Sequence, residues 1–252
     1  VAVPLGGAVF PVLADLASKN KYEAAGEVML KTLRQLLFVV IPATVLFFIL
    51  RAQIVRLTLG YGSFDWVDTV LTIETLGFFL IGRVFQGVLA IVLRGFFALE
   101  DAKTPFWVLF LGVVLSVVLA FILAPVLDVS ALGLAVSAAA IFNTVILFYI
   151  LTRRLKINNF FVLARPVAIF AFSATVAGGV AYAMLHFLDR FLDTHRVLHL
   201  IIQGGSAGFL GLAVYLVMAG LFKVEEVSQI IKKFKLGQDI VLPSLDEETH
   251  QS

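Results

Sequence analysis

Three polar side chains interrupt one long apolar stretch, and they are the residues best placed to bind a ligand. Glu74, Arg83 and Gln86 lie within residues 69–93, a run with no other ionisable side chain. A charge inside lipid must face a cavity or a partner. Arg83, near mid-depth, is therefore expected to face a polar cavity or an inter-helix ion pair, or else a structural partner in a missing part of the protein. Glu74 either has such a role or reaches the headgroups.

The spacing of these residues limits how they can pair. Glu74 and Arg83 are nine positions apart, about half a turn around a helix, so a salt bridge between them is geometrically poor. Gln86 lies one turn after Arg83 and is expected to share its face. These three residues are our first candidates for a substrate cavity.

Other kinds of chemistry find little support. The sequence has no cysteine and four histidines, so neither a metal site nor any cofactor is expected. A membrane enzyme acting on polyprenyl phosphates would need paired acids or a metal cluster, and Glu100–Asp101 without a nearby histidine fits poorly. A nucleic-acid partner is not expected either.

Composition places the elements that carry these residues in a membrane. The 252 residues are 61% hydrophobic and 14% charged, with a mean hydropathy of +1.03, whereas soluble domains carry about 25% charged residues. Residues 106–127 contain no ionisable side chain and would form about 33 Å of helix, enough to cross a bilayer core of about 30 Å. The chain is predicted to be an all-α polytopic membrane protein.

Six complete transmembrane helices are expected after the end of an earlier, truncated one at residues 1–17, with a polar linker over residues 18–31. Four helices occupy residues 32–152 and two occupy residues 163–222. An amphipathic helix on the membrane surface (223–236) and a disordered tail (237–252) are predicted to follow. The apolar spans themselves are residues 35–50, 69–93, 106–127, 131–152, 166–188 and 200–222.

The charged connection before residue 106 should end one helix and begin another. Thr104 can cap the new helix and Pro105 suits its first position. The charges of Glu100, Asp101 and Lys103 are expected in a solvated loop with a capping role.

Lys and Arg are distributed unevenly over the connections. Fourteen lie on one side of the predicted topology and four on the other. The richer side, with the C-terminus, is predicted to be cytoplasmic.

Further candidates lie in the other spans. Arg34 is expected to be an interfacial anchor or to contact an anionic headgroup at the cytoplasmic mouth. Asn143 fits a hydrogen bond between helices better than a ligand contact. Glycines at close spacing predict tight packing between the last two spans. They are Gly178, Gly179, Gly204, Gly205, Gly208 and Gly211.

Four motifs in order resemble one known family. They are Ala8-Val-Phe-Pro-Val-Leu-Ala14, Leu33-Arg34 with Ile41-Pro42-Ala43, Ile54-Val-Arg-Leu57 with Gly62-Ser-Phe64, and the loop that contains Gly95, Phe96, Phe97, Asp101, Lys103, Thr104 and Pro105. With the predicted topology they resemble the MurJ/MviN family, the lipid II flippases of bacterial cell-wall synthesis. One departure is Ala90, near a position where many members carry Lys.

This resemblance implies a fold and a function. The chain would be the C-terminal part of a 14-helix exporter in the bacterial cytoplasmic membrane, and most basic cavity residues would lie in a missing N-terminal half, its main partner. The substrate would be a sugar linked to undecaprenyl diphosphate. A hydrophobic groove along the last two helices would hold its lipid tail, and membrane lipids would be further partners. Another polysaccharide-lipid or drug exporter of the superfamily, or a scaffold in which Arg83 is replaceable, remain alternatives.

Overall fold

The computed structural model describes residues 2–59, 66–157, 160–190, 197–224 and 226–227, and their regular structure is helical throughout. Six helices, α2 to α7, are long and apolar enough to cross a membrane, which confirms the predicted fold class. The predicted surface helix falls mostly, and the tail entirely, outside the described residues. The helices are α1 (Ala2–Ser18), α2 (Tyr22–Leu59), α3 (Trp66–Ala98), α4 (Lys103–Leu127), α5 (Ser130–Arg154), α6 (Ala164–Asp189) and α7 (Val197–Leu221), with a 3₁₀ turn at Phe160–Leu163.

The second helix is longer than its apolar span. α2 begins at Tyr22 and has 38 residues, so the prediction of a polar linker over residues 18–31 was wrong. Strong helix formers fill its first turns, and Ala25 and Met29 are buried there against neighbouring helices. Polar residues at a helix end that packs on the protein do not mark a loop.

The start of α4 also differs from the expectation. The helix begins at Lys103, so Thr104 lies inside it and does not cap it. The N-cap residue is Ala102, whose side chain makes no capping hydrogen bond. Asp101 instead accepts hydrogen bonds from the Thr104 backbone N–H at 3.0 Å and from its hydroxyl at 2.6 Å. The capping role therefore belongs to the carboxylate, because a charged acceptor binds an exposed N–H more strongly than a hydroxyl does.

The four odd-numbered helices end in the same way. Each is followed by a residue with positive φ, and the N–H of the next residue bonds to a carbonyl five positions back, at 2.9–3.1 Å. This arrangement satisfies carbonyls that a helix end leaves unpaired. The positive-φ residues are Asn20, Glu100, Lys156 and Lys223.

α2 connects two packed groups of helices. One core joins its first half to α1, α3, α4 and α5, around residues such as Leu36, Ile91 and Leu147. The other joins its middle to α6 and α7, around Phe38 and Phe170. α3 packs most extensively on α5, whereas α4 leaves much of its apolar surface exposed, as expected for a face that meets lipid.

Candidate functional site

The three polar residues of α3 lie at the surface of this part of the protein. The side chains of Glu74 and Arg83 are exposed, and Gln86 is half-buried. Arg83 donates from Nη1 to Oε1 of Gln86 at 2.9 Å, so these two share a face as predicted. Within the described chain Arg83 does not pair with Glu74. A guanidinium near mid-span that remains open to its surroundings must face water, a ligand or another segment.

The opposite side of α3 is fixed by α5. Ser137 is 1% exposed, and its hydroxyl donates to the Phe78 carbonyl at 2.6 Å and accepts from the Gly82 N–H at 3.0 Å. A Cβ added at Gly82 would lie 2.7 Å from the Ser137 Cα. Glycine is therefore required where the two backbones approach.

Small and hydroxyl-bearing residues of α5 continue this contact along α3. Thr144 donates to the Phe85 carbonyl at 3.0 Å, and the hydroxyls of Ser130 and Thr75 lie 3.2 Å apart. A Cβ at Gly133 would approach the Thr75 carbonyl to 2.7 Å. These residues recur every three, four or seven positions and so lie along one face of α5, which lets the backbones approach closely.

Arg34 contacts a carboxylate rather than an open surface. Its Nε lies 2.7 Å from Oε1 of Glu226, and its Nη2 donates to Oε2 at 3.2 Å. The Glu226 side chain is 9% exposed. The pair joins the first half of α2 to the segment after α7, and the proposed headgroup contact of Arg34 remains a prediction.

Asn143 of α5 lies against α4, but its amide oxygen does not accept the hydrogen bond expected between the helices. Its amide packs directly against Gly112 of α4, and Oδ1 is buried with no partner in the described structure. The contact between the two helices is therefore made by close packing.

The family-motif loop is an organised junction. Phe96 is fully buried and Phe97 is 49% exposed, and Gly95 packs against Leu151 of α5. Arg154, at the end of α5, pairs with Asp101 and lies 5.6 Å from the centre of the Phe96 ring. The predicted solvated loop is thus partly wrong, because Asp101 is half-buried and paired whereas Lys103 is exposed.

Hydrogen bonds to the ionised form control the charge of Asp101. The Thr104 hydroxyl and then its backbone N–H, with a further contribution from Arg154, lower the pKa of this carboxyl from 3.8 to about 2, against the opposing effect of burial. The carboxylate therefore stays ionised and keeps its capping bonds down to low pH.

The glycines of the last two spans mostly face α2. Gly178 packs against Val45, Gly204 against Gln53 and Gly208 against Leu50. Gly211 contacts both α2 and α6, whereas a Cβ at Gly179 or Gly205 would meet no described atom within 4 Å. α6 and α7 do pack together, but these glycines serve chiefly the approach of both helices to α2.

An apolar groove of about 610 Å³ lies between α2 and α7. Pro42 stands in its wall and has no N–H, so the Phe38 carbonyl, four residues earlier, has no helical partner. The hydroxyl of Tyr215 on α7, which is 1% exposed, donates to that carbonyl at 2.8 Å. Other lining residues include Phe47, Leu50, Gly208 and Leu212.

Sequence reasoning missed Ser137, Tyr215 and Glu226. A signal existed for the role of Tyr215, because a proline inside a span leaves a carbonyl that needs a donor from outside the helix. Among the described residues no group of three or more His, Asp or Glu could hold a metal ion.

Similar proteins were found over most of the chain. The family model for lipid II flippase MurJ matches residues 1–202. A probable lipid II flippase MurJ of Rhizobium tropici is 29% identical over 238 residues, which are 93% of this chain and 44% of that protein. One of Thermotoga maritima is 25% identical over 197 residues, 78% of this chain and 38% of that protein.

A solved structure, lipid II flippase MurJ in an inward closed conformation, shares the fold. Its TM-score is 0.65 at 23% identity, covering 88% of this chain and 43% of that one. The chain thus spans less than half the length of these relatives. Since the family model matches most of its residues, the chain belongs to the lipid II flippase MurJ family.

Proposed function

We propose that this chain is the C-terminal part of a flippase that moves lipid II, a lipid-linked peptidoglycan precursor, from the inner to the outer leaflet of the bacterial cytoplasmic membrane. The protein would be a transporter rather than an enzyme. Family membership supports the class. The observation that carries the residue assignment is the exposed Arg83 near the middle of α3, which bonds to the half-buried Gln86.

The chemistry of Arg83 suits a diphosphate headgroup. A central arginine costs about 2.5–3.5 kcal/mol to insert into a membrane helix, so retaining it requires a compensating contact. A guanidinium presents several donors that match phosphate oxygens. The remaining basic groups of the cavity would come from another part of the protein. That part would pack against the side of α3 on which Arg83 is exposed.

The groove between α2 and α7 is our candidate for the lipid tail. It is apolar along its length and about 610 Å³ in volume, as a polyprenyl chain requires. The sequence prediction placed this groove along the last two helices. The proposed wall instead pairs the last helix with α2.

The experiment that tests the role of Arg83 uses the full-length protein. Arg83→Ala should abolish growth of a flippase-depleted strain at normal expression, and Arg83→Lys should keep partial function because it preserves the charge. Arg153→Ala, which removes an exposed arginine at the end of α5, is the matched control. Full complementation by Arg83→Ala at normal expression would exclude this role.

Sidedness is a separate proposal with its own test. We propose that the ends of the odd-numbered helices are cytoplasmic, since most Lys and Arg lie on that side. A single cysteine at the exposed Ala102 should then resist an impermeant thiol reagent in intact cells, whereas one at the exposed Val129 should react. The reverse labelling pattern would invert the topology.

A further inference from the structure

The short segment after α7 returns to α2 and brings a carboxylate to Arg34. α7 is followed by a turn in which Lys223 has positive φ. Val224, which is 7% exposed, then joins the apolar core around Phe38. Glu226 reaches Arg34, which lies 192 positions earlier in the chain. The end of α7 is thus tied to α2 by apolar packing and by an ion pair.

The Arg34 guanidinium contacts both oxygens of the Glu226 carboxylate. Its Nε lies 2.7 Å from Oε1, and its Nη2 donates to Oε2 at 3.2 Å. Such a fork fits two phosphate oxygens as well as two carboxylate oxygens. The side chain of Arg34 is 26% exposed, whereas that of Glu226 is 9% exposed. An anion from outside the chain therefore has access to the cation of this pair.

Arg34 also lies at one end of the apolar groove between α2 and α7. Phe38 follows it by one helical turn on the same face of α2, and the groove wall on α2 runs from Phe38 to Ile54. This part of the helix is about 24 Å long. A phosphate bound to Arg34 would thus place the first carbons of an attached chain at the entrance of the groove.

We propose that Arg34 binds the diphosphate of the lipid substrate before Arg83 does, and that Glu226 competes with the diphosphate for the Arg34 guanidinium. Arg34 lies in the first half of α2, on the side proposed to be cytoplasmic, from which the substrate starts. The inference rests on the proposed function and adds to it a headgroup site next to the tail groove. It also gives the segment after α7 a role, which is to control access to that site.

Competition predicts a sign that structural support does not. If Glu226 occupies Arg34 in about nine molecules of ten, the substrate binds about tenfold more weakly than it would to an open Arg34. Loss of Glu226 should therefore strengthen binding. The same change removes the acid of a largely buried ion pair, which lowers stability. Tighter binding by a less stable protein thus distinguishes a competitor from a residue that only supports the fold.

The test measures binding of a polyprenyl diphosphate to the full-length protein in nanodiscs of phosphatidylcholine, a lipid without net charge. Glu226→Gln, Arg34→Gln and the double variant are compared with the wild type, and phosphatidylglycerol is measured in parallel as a second anionic lipid. Glu27→Gln is the matched control, because Glu27 is exposed and lies about two turns before Arg34 on the same helix. Thermal midpoints report the stability of each variant.

We expect Glu226→Gln to bind the diphosphate at least about threefold more tightly than the wild type, with a lower thermal midpoint. Arg34→Gln should bind it more weakly. In that background Glu226→Gln should change binding less than about twofold, because the two residues act through one contact. Glu27→Gln should change binding less than about 1.5-fold, since an exposed charge is screened. If Glu226→Gln does not fold, Glu226→Asp replaces it, with a smaller gain expected from the shorter side chain.

Three results would overturn the inference and leave the proposed function standing. They are unchanged or weaker binding by Glu226→Gln while the wild type binds, a gain as large without Arg34 as with it, and an equal gain for phosphatidylglycerol, which would show a site for any anionic lipid. Failure of both the wild type and Glu226→Gln to bind the diphosphate has a different meaning. It would refute the proposed function itself, and this inference with it.

Discussion

α2 and α3 each have a place where a hydroxyl from another helix bonds to backbone groups near the middle of the span. In α2 it lies at Pro42, where Tyr215 serves the Phe38 carbonyl. In α3 it lies at Gly82, where Ser137 serves a carbonyl and an N–H. The first follows from covalent structure, and the second exists only because two helices meet.

The difference explains which side chain is found at each place. Proline removes a donor, so a single outside donor restores the balance, and a tyrosine whose ring also fills the apolar core can supply it. At Gly82 the outside group bonds to both an N–H and a C=O, so it must accept and donate through one atom, which the hydroxyl of serine does. In lipid no water is present to serve either group.

The largest effect is expected from closing the approach at Gly82. Gly82→Ala places a methyl group 2.7 Å from the Ser137 Cα, and because the obstacle is backbone, we expect a loss of about 3 kcal/mol, at the upper end of overpacking costs. The yield of monodisperse protein and its thermal midpoint in detergent measure this. Gly205→Ala is the control, since a Cβ there meets no described atom within 4 Å. Equal behaviour of the two variants would contradict the close approach.

A medium effect is expected at the other helix. Tyr215→Phe should cost about 1–2 kcal/mol, because it leaves the Phe38 carbonyl buried without a donor. Pro42→Ala restores the missing N–H, so in that background Tyr215→Phe should cost less than about 0.5 kcal/mol. Thermal midpoints of the wild type, the two single variants and the double variant give this double-mutant cycle. The control is Tyr182→Phe, because Tyr182 is exposed. Additive costs would show that the hydroxyl does not serve the proline.

The sequence predicted the fold because the membrane restricts the options. Five apolar runs are long enough to span, and the run at residues 35–50 can span with its flanking residues. Segments that cross lipid in such runs must be helices, and the structure has six helices of this kind. The error at Tyr22 arose because helix length depends on tertiary packing as well as on lipid. Hydropathy locates what lies in lipid and does not show where a helix ends in water.

The candidate site was predictable only in part. Arg83 stands out since a charge in an apolar run has few explanations, and its contact with Gln86 follows from a spacing of one turn. Ser137 and Glu226 are distant in sequence from the residues they bind. Single-sequence periodicity contains no information on which helix faces which, so these partners required the structure.

The smallest effect is expected at Asp101, a half-buried carboxylate outside the apolar spans that bonds to backbone beside water. Asp101 accepts two bonds from Thr104, and Asp101→Asn should cost only about 1 kcal/mol at neutral pH, because water can replace the lost bonds. The pKa of this carboxyl is lowered from 3.8 to about 2. Its stabilisation is therefore complete above about pH 4 and is lost as the pH falls through about 2.

Thermal midpoints of the wild type and of Asp101→Asn, measured from neutral pH down to about pH 2.5, test this sign. The difference between them should be constant above about pH 4 and should shrink below it, since protonation removes the ionised acceptor from the wild type alone. Glu100→Gln makes the same charge change beside the cap and should cost less than about 0.5 kcal/mol at neutral pH. If Asp101→Asn lowered stability as much as Tyr215→Phe does, nearby water would not be weakening the hydrogen bonds of Asp101. The loop at Asp101 would then not differ physically from the contacts within α2 and α3.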